Sequence, residues 1–174
     1  MVLVCAALFA SAVATAQQRV ADGPKYSPTR ELIRPADYRE WVYLTSGLGM
    51  TYGPAGGNGG PAMFDNVFVN RESYRSFLAT GRWPDKTMFV LEVRRSQANV
   101  SINNGGQTQG EIVAIESAVK DSERFPGTSW GYFSFDGPNG LRDSAAPLPA
   151  RRPAIPATAT TPRSKIPSCS STRR

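Results

Sequence analysis

The sequence predicts an α+β domain in which a few short helices pack on an antiparallel β-sheet. Stretches rich in β-branched and aromatic residues occur at 63–69, 87–93, 111–120 and 129–135, and short loops or short helical segments separate them. Because strands do not alternate regularly with long helices, a doubly wound parallel sheet is not expected. The length of 174 residues is that of a single domain.

The first predicted element is a short helix that begins near Pro35, since proline favours the first helical turn. Tyr38 and Trp41 lie three residues apart and therefore share one face of it. A β-rich run over residues 41–45 follows. Residues 47–60 contain seven glycines and are interpreted as a flexible loop. This loop lacks the Gly-Lys-Ser/Thr ending of a phosphate-binding loop, which argues against a nucleotide site.

A second helix is predicted over residues 71–80. Asn70 is a favoured N-cap residue, and Gly81 is a favoured C-terminal stop. Tyr74 and Phe77 lie three residues apart on one face of this helix. The segment is therefore expected to pack its aromatic side against the sheet.

The strongest strand pattern covers residues 87–93. Phe89 and Leu91 are two residues apart on it and therefore point to the same side of the sheet. Glu92 on this strand and Glu116 on the next could form a catalytic pair of carboxylates. Alternatively, each is a solvated or ion-paired strand residue, because nothing in the spacing shows that the two meet.

The two ends of the chain differ from its middle. Residues 1–16 form an apolar run that ends in an Ala-x-Ala cleavage pattern, and they are interpreted as a secretory signal peptide, which implies a periplasmic or secreted protein. Residues 151–174 contain six basic residues, four prolines and no acidic residue, a composition typical of a disordered tail. This tail accounts for the whole net charge of +6. The domain at 17–150 is neutral, so no nucleic-acid-binding face is predicted.

The chain contains no histidine and two cysteines, Cys5 and Cys169. As written, it therefore cannot form a Ser-His-Asp hydrolase, a His-ligated zinc site or a His-ligated haem site, and no metal-ligating residue is assigned. Two cysteines are too few for a disulfide framework. No run of about 18 apolar residues follows the N-terminal one, so no membrane span is predicted.

Four motifs occur in a fixed order along the chain. They are Tyr-Arg-Glu-Trp-Val at 38–42, Phe-Val-Asn-Arg-Glu-Ser-Tyr at 68–74, Thr-Gly-Arg-Trp-Pro-Asp-Lys-Thr at 80–87 and Ile-Glu-Ser-Ala-Val-Lys-Asp-Ser-Glu-Arg-Phe at 115–125. Together they resemble the cytochrome P-460 family of periplasmic c-type haem proteins. The resemblance implies an antiparallel β-rich fold, a homodimer, one covalent haem c per chain and an electron-transfer partner. It also implies chemistry on, or binding of, hydroxylamine or nitric oxide.

The same resemblance implies roles for individual residues. Phe89 and Leu91 would contact the haem, and Glu116 matches an acid of the distal pocket that could relay protons; alternatively, Glu116 is only a strand residue. Family members that oxidise hydroxylamine carry a lysine cross-linked to the haem where this sequence has Leu91. Three functions therefore stay open: a haem oxidoreductase, a non-catalytic nitric-oxide-binding haem protein, which Leu91 favours, and a decayed gene product.

The family also ends with Cys-x-x-Cys-His, which attaches the haem and ligates its iron, and this motif is absent from the chain. Permitted codons for residues 153–158 spell Cys-Tyr-Ser-Cys-His when read from the third base of the first codon. In the same frame, the six shifted codons that end within codons 168–173 can spell Phe-Val-Gln-Phe-Tyr-Pro, which resembles the usual end of the family. We hypothesise that residues 151–174 are out of frame and that covalent haem attachment is lost; the alternative is a genuine basic tail.

Overall fold

A five-stranded antiparallel sheet forms the centre of the fold in the computed structural model. The model describes residues 22–51, 61–100, 102 and 105–149. The predicted signal peptide, the glycine-rich residues 52–60 and the tail at 151–174 lie outside the described residues. Within the described ranges, no helix is long and apolar enough to cross a membrane.

The elements follow one another along the chain with short connections. Their bounds are β1 (Leu32–Ile33), β2 (Val42–Leu48), β3 (Met63–Val69), α1 (Arg71–Thr80), β4 (Met88–Gln97), β5 (Thr108–Lys120), β6 (Trp130–Ser134) and β7 (Ser144–Ala145). The central sheet has the order β2-β3-β4-β5-β6, and β1 pairs with β7 in a separate two-stranded sheet. The predicted antiparallel sheet is therefore confirmed, because every pair of neighbouring strands runs in opposite directions.

The prediction of a few short helices is only roughly matched. Among the described residues there is one α-helix, α1, and the helix expected after Pro35 is a single 3-10 turn, Tyr38–Glu40. This turn ends at once because Trp41 already has an extended backbone and leads directly into β2.

Helix α1 has the predicted bounds but not the predicted N-terminal cap. The Asn70 side chain makes no capping hydrogen bond; its Oδ1 instead accepts from the Met88 amide at 2.9 Å. The carboxylate of Asp22 accepts from the Arg71 amide at 2.6 Å and caps the helix from a distant part of the chain. At the other end, Gly81 adopts the predicted left-handed conformation, with φ of 71°.

One side of the sheet, here called the core face, carries the hydrophobic core. The buried side chains of this core are Leu32, Tyr38, Trp41, Met88, Val90, Ile115, Val119, Phe133, Phe135 and Ala145. Leu32 of β1, Ala145 of β7 and Tyr38 of the 3-10 turn join this core from outside the central sheet. Trp41, which follows the turn, and Phe135, which follows β6, join it as well. Each large side chain buried in this way contributes roughly 1.5–3 kcal/mol, so these short elements stabilise the fold by covering the core face.

A buried carboxylate, Glu92, lies among these apolar side chains and is only 2% exposed. Tyr38 donates a short hydrogen bond from its hydroxyl to this carboxylate. Arg39 donates from Nη2 at 2.7 Å and from Nε at 3.0 Å. Asn66 donates at 3.1 Å, and Arg94 donates at 3.3 Å. Burial alone would raise the pKa of Glu92, but the hydrogen bonds from Tyr38, Asn66 and Arg39 outweigh it and lower the pKa.

We predict that Glu92→Gln lowers the free energy of unfolding by about 3 kcal/mol, because it leaves the buried Tyr38 hydroxyl and Asn66 amide without a negatively charged acceptor. The partly exposed guanidinium groups of Arg39 and Arg94 lose their ion-pair partner at the same time. The folded-state pKa of Glu92 lies below its unfolded value, so the carboxylate stabilises the fold fully above the unfolded pKa. This contribution is lost as the pH falls through the folded pKa. The free energy of unfolding should therefore fall less between neutral and acidic pH in the variant than in the parent chain. Urea unfolding at the two pH values measures this difference.

The matched control is Glu111→Gln. Glu111 forms an exposed ion pair with Arg95 at 2.9 Å, and exposed pairs contribute at most about 1 kcal/mol. Equal losses of stability in the two variants would contradict the structural role assigned to Glu92.

Candidate functional site

The side of the sheet opposite the core, here called the open face, is also apolar. Its half-buried apolar side chains come from strands β3, β4 and β5 and are Val67, Phe89, Leu91, Val93, Ala114 and Ala118. They alternate along each strand with the buried residues of the core face. Apolar side chains that stay half-exposed on one continuous surface are typical of a binding site.

The structure brings the three predicted site residues together on this open face. Phe89 and Leu91 point to the same side of β4, as the spacing predicted. Leu91 pairs directly with Glu116 on β5 and with Val67 on β3, and Glu116 also pairs with Ser134 on β6. Glu116 therefore lies between the apolar Leu91 and the hydroxyl-bearing Ser134 in one row across the open face.

The possible carboxylate pair of Glu92 and Glu116 does not exist. Glu92 pairs with Ile115, so it belongs to the core face, whereas Glu116 belongs to the open face. The sheet separates the two carboxylates. Glu92 is also fully occupied by its own donors, which makes it a structural residue rather than a partner in chemistry.

Aromatic side chains enclose one end of the open face, which we call the aromatic end. The ring of Trp83 stacks on Phe77 of α1 with centroids 4.1 Å apart. It also meets Phe89 edge to face at 4.9 Å. On the other side of Phe89, the ring of Trp130 stacks at 5.9 Å. Phe89 is thus held in place between two tryptophans, and such ring pairs contribute about 0.5–1.5 kcal/mol each beyond their burial.

Carboxyl groups mark the opposite end, which we call the acidic end. Asp65 pairs with Val93 on β4, and Val93 pairs in turn with Ala114 on β5. Ala114 lies two residues before Glu116 on the same side of β5. Asp136 follows β6, and its Oδ1 accepts from the Ile115 amide at 3.3 Å, beside Glu116. Within the described residues, no group of three or more histidine, cysteine, aspartate or glutamate side chains is arranged to hold a metal ion.

Glu116 has an unusual environment for a carboxyl group. In the part of the chain that the structure describes, no side chain forms an ion pair with it. Burial raises the pKa of Glu116, and the negative charges of Asp136 and Asp65 raise it further. Burial likewise raises the pKa of Asp65. Glu116 therefore keeps its proton to a higher pH than an ordinary glutamate, as suits a group that transfers protons.

Comparison with protein-family models gives one decisive match. The cytochrome P460 model matches residues 35–150, which include both faces of the sheet. The chain belongs to the cytochrome P460 family. The resemblance recognised from the four sequence motifs is thereby confirmed. A comparison with curated proteins gave no match.

Membership of the cytochrome P460 family implies haem c, and the open face fits one side of that group. Strands β3–β6 together span about 14 Å at the usual spacing between strands, which is wide enough to cover one side of a porphyrin. The half-buried apolar residues and the aromatic end supply contacts that suit a planar macrocycle. The described residues supply this face with contacts but with no histidine ligand and no cysteine for a thioether bond.

Four residues of this site were not assigned from the sequence. Trp83, Trp130, Asp65 and Asp136 join it through strand pairing or through ring contacts across the fold. Asp65 and Val67 share a face of β3, but only the pairing of β3 with β4 shows that this face is the one that carries Leu91. All four residues therefore required knowledge of tertiary contacts.

Proposed function

We propose that this chain is a haem protein that holds the porphyrin against the open face and acts on, or binds, hydroxylamine or nitric oxide. The observation that supports this proposal is the pairing of Leu91 with Glu116, because it sets a carboxyl group of raised pKa next to the apolar side chains of the open face. When bound, haem supplies a redox-active iron that can coordinate small nitrogen-containing ligands.

The residues of the chain would divide the remaining tasks among them. Phe89 and Leu91 provide apolar contact and exclude water from the centre of the face. Trp83 fixes the orientation of Phe89 through the edge-to-face contact. Glu116 gives a proton to the ligand or takes one from it, because its raised pKa lies closer to neutral pH than the pKa of an ordinary carboxyl group.

Two versions of this function rest on different residues. The aliphatic side chain of Leu91 cannot form the lysine cross-link of hydroxylamine-oxidising family members, and an apolar surface suits a protein that binds or buffers nitric oxide. Glu116 favours the alternative, a haem oxidoreductase, because turnover of hydroxylamine requires proton transfer. A turnover assay on the haem-loaded protein separates the two.

The remaining proposals concern the context of the domain. We infer that residues 1–16 direct the protein to the periplasm or outside the cell, and that an intact relative forms a homodimer which exchanges electrons with a partner protein. We also infer that residues 151–174 are out of frame and that the chain as written holds haem only by contact. The alternative is a decayed gene product, and the absence of haem binding in the experiment below would support it.

We predict that the purified chain binds ferric haem without a covalent bond and that Leu91→Asp weakens this binding about tenfold or more, because a carboxylate on the open face would have to be desolvated under the porphyrin. Titration with ferric haem, followed by the Soret absorbance and by quenching of tryptophan fluorescence, measures the affinity.

Leu78→Asp is the matched control for this experiment. Leu78 lies on α1 and is 66% exposed, so the same substitution there should leave haem binding unchanged. Equal weakening in both variants, or no binding by the parent chain, would overturn the assignment of the open face. Urea unfolding of each variant verifies that both proteins remain folded.

The proposal that residues 151–174 are out of frame makes a prediction about the nucleotide sequence of the gene. Sequencing the gene across codons 145–174 should give codons that spell Cys-Tyr-Ser-Cys-His in the shifted frame. The corrected protein, expressed with a cytochrome c maturation system, should then retain its haem after extraction with acidified acetone, whereas the chain as written should lose it. Codons that cannot encode the motif would refute the frameshift.

A further inference from the structure

The acidic end of the open face contains more carboxyl groups than a single proton relay needs. Glu116 is flanked by Asp136 on the side of β6 and by Asp65 on the side of β3. The three come from different strands or their ends, so the sheet, and not a local sequence motif, brings them together.

The position of Asp136 is fixed next to Glu116. Its Oδ1 accepts from the amide of Ile115, the residue immediately before Glu116, at 3.3 Å. Its own amide donates to the Ser134 hydroxyl at 3.3 Å, and Ser134 is the direct partner of Glu116 across β5 and β6. The backbone on both sides of Asp136 thus keeps a negative charge beside Glu116.

Asp65 approaches from the other side of β4. Its pairing partner Val93 and the next residue across the sheet, Ala114, are both small and apolar. The residues that connect Asp65 to Glu116 across the sheet therefore carry no positive charge that would offset either carboxylate. Asp65 is half-buried, so solvent screens it less than it screens the exposed Asp136.

The cations that share these strands or adjoin them have other partners. Lys120, on the same side of β5 as Glu116, donates to the Trp83 carbonyl at 2.7 Å. Arg95, on the same side of β4, pairs with Glu111. Arg142 donates to the Ser134 carbonyl at the edge of β6 at 2.7 Å. Leu91 faces Glu116 from β4 and carries no charge.

We propose that Asp136 and Asp65 are positioning residues for Glu116, and that their flanking negative charges make Glu116 meet a small ligand as a proton-bearing carboxylic acid. A neutral carboxyl donates a hydrogen bond, whereas a carboxylate only accepts one. Glu116 would thus approach the oxygen or nitrogen of a bound ligand as a donor. This role rests on the proposed function, in which the open face holds the haem and its ligand.

The test titrates Glu116 in the haem-free full chain by NMR of ¹³C-labelled glutamate carboxyl groups, with Glu116→Gln to assign the signal. We expect the Glu116 midpoint to lie above that of ordinary glutamates. Asp136→Asn and Asp65→Asn should each lower this midpoint, because each removes a like charge. Added salt should diminish the effect of Asp136→Asn more than that of Asp65→Asn.

Asp37→Asn is the matched control, because it removes the same charge from an exposed position beside the 3-10 turn and should leave the Glu116 midpoint in place. An ordinary midpoint in the parent chain, or one that neither aspartate variant moves, would overturn the proposal. The titration needs no haem. Failure of haem binding alone would therefore count against the proposed function, but not against Asp136 and Asp65 as the cause of the raised Glu116 midpoint.

Discussion

The buried carboxylate of Glu92 constrains the register of β4 and, through it, the whole sheet. Its hydrogen-bond donors, among them Tyr38 and Arg39, meet at one point of the core face. A shift of β4 by one residue would exchange its two faces. Glu92 would then move to the open face and leave the buried Tyr38 hydroxyl without its acceptor, while Leu91 would move into the core. A buried charge tolerates few positions, so Glu92 specifies the register more strongly than the aliphatic residues around it.

The properties of the open face follow from that register. With Glu92 directed into the core, Phe89 and Leu91 must appear on the opposite side, and the pairing of β4 with β5 sets Glu116 beside Leu91. The domain has its hydrophobic core on the other face, so it can leave this apolar surface half-exposed. The charge network near the 3-10 turn and the candidate haem surface are therefore two consequences of one alignment of strands.

How much the sequence could predict depended on how local each feature is. The bounds of Met63–Val69 and Arg71–Thr80 follow from periodicity and from Gly81, and the shared face of Phe89 and Leu91 follows from their spacing. The cap on α1 could not be predicted, because Asp22 lies 49 residues away from Arg71 along the chain. Strands β1 and β7 contain two residues each and carry no periodic signal. Whether Glu116 lies on the same face of the sheet as Phe89 or as Glu92 depends on the register between β4 and β5. Local spacing does not determine that register.

The position of the last described residues bears on how haem would be held. The Leu148 amide donates to the Tyr132 carbonyl at 2.7 Å, so the chain runs along the outer edge of β6. Tyr132 pairs with Ala118 and belongs to the open face. Leu148, the residue before the last described one, therefore lies at the rim of that face. A Cys-x-x-Cys-His segment starting there would begin next to the surface on which the apolar contacts lie. Under the frameshift proposal, prolines and arginines take the place of that segment, and these residues supply neither thioether bonds nor an imidazole ligand.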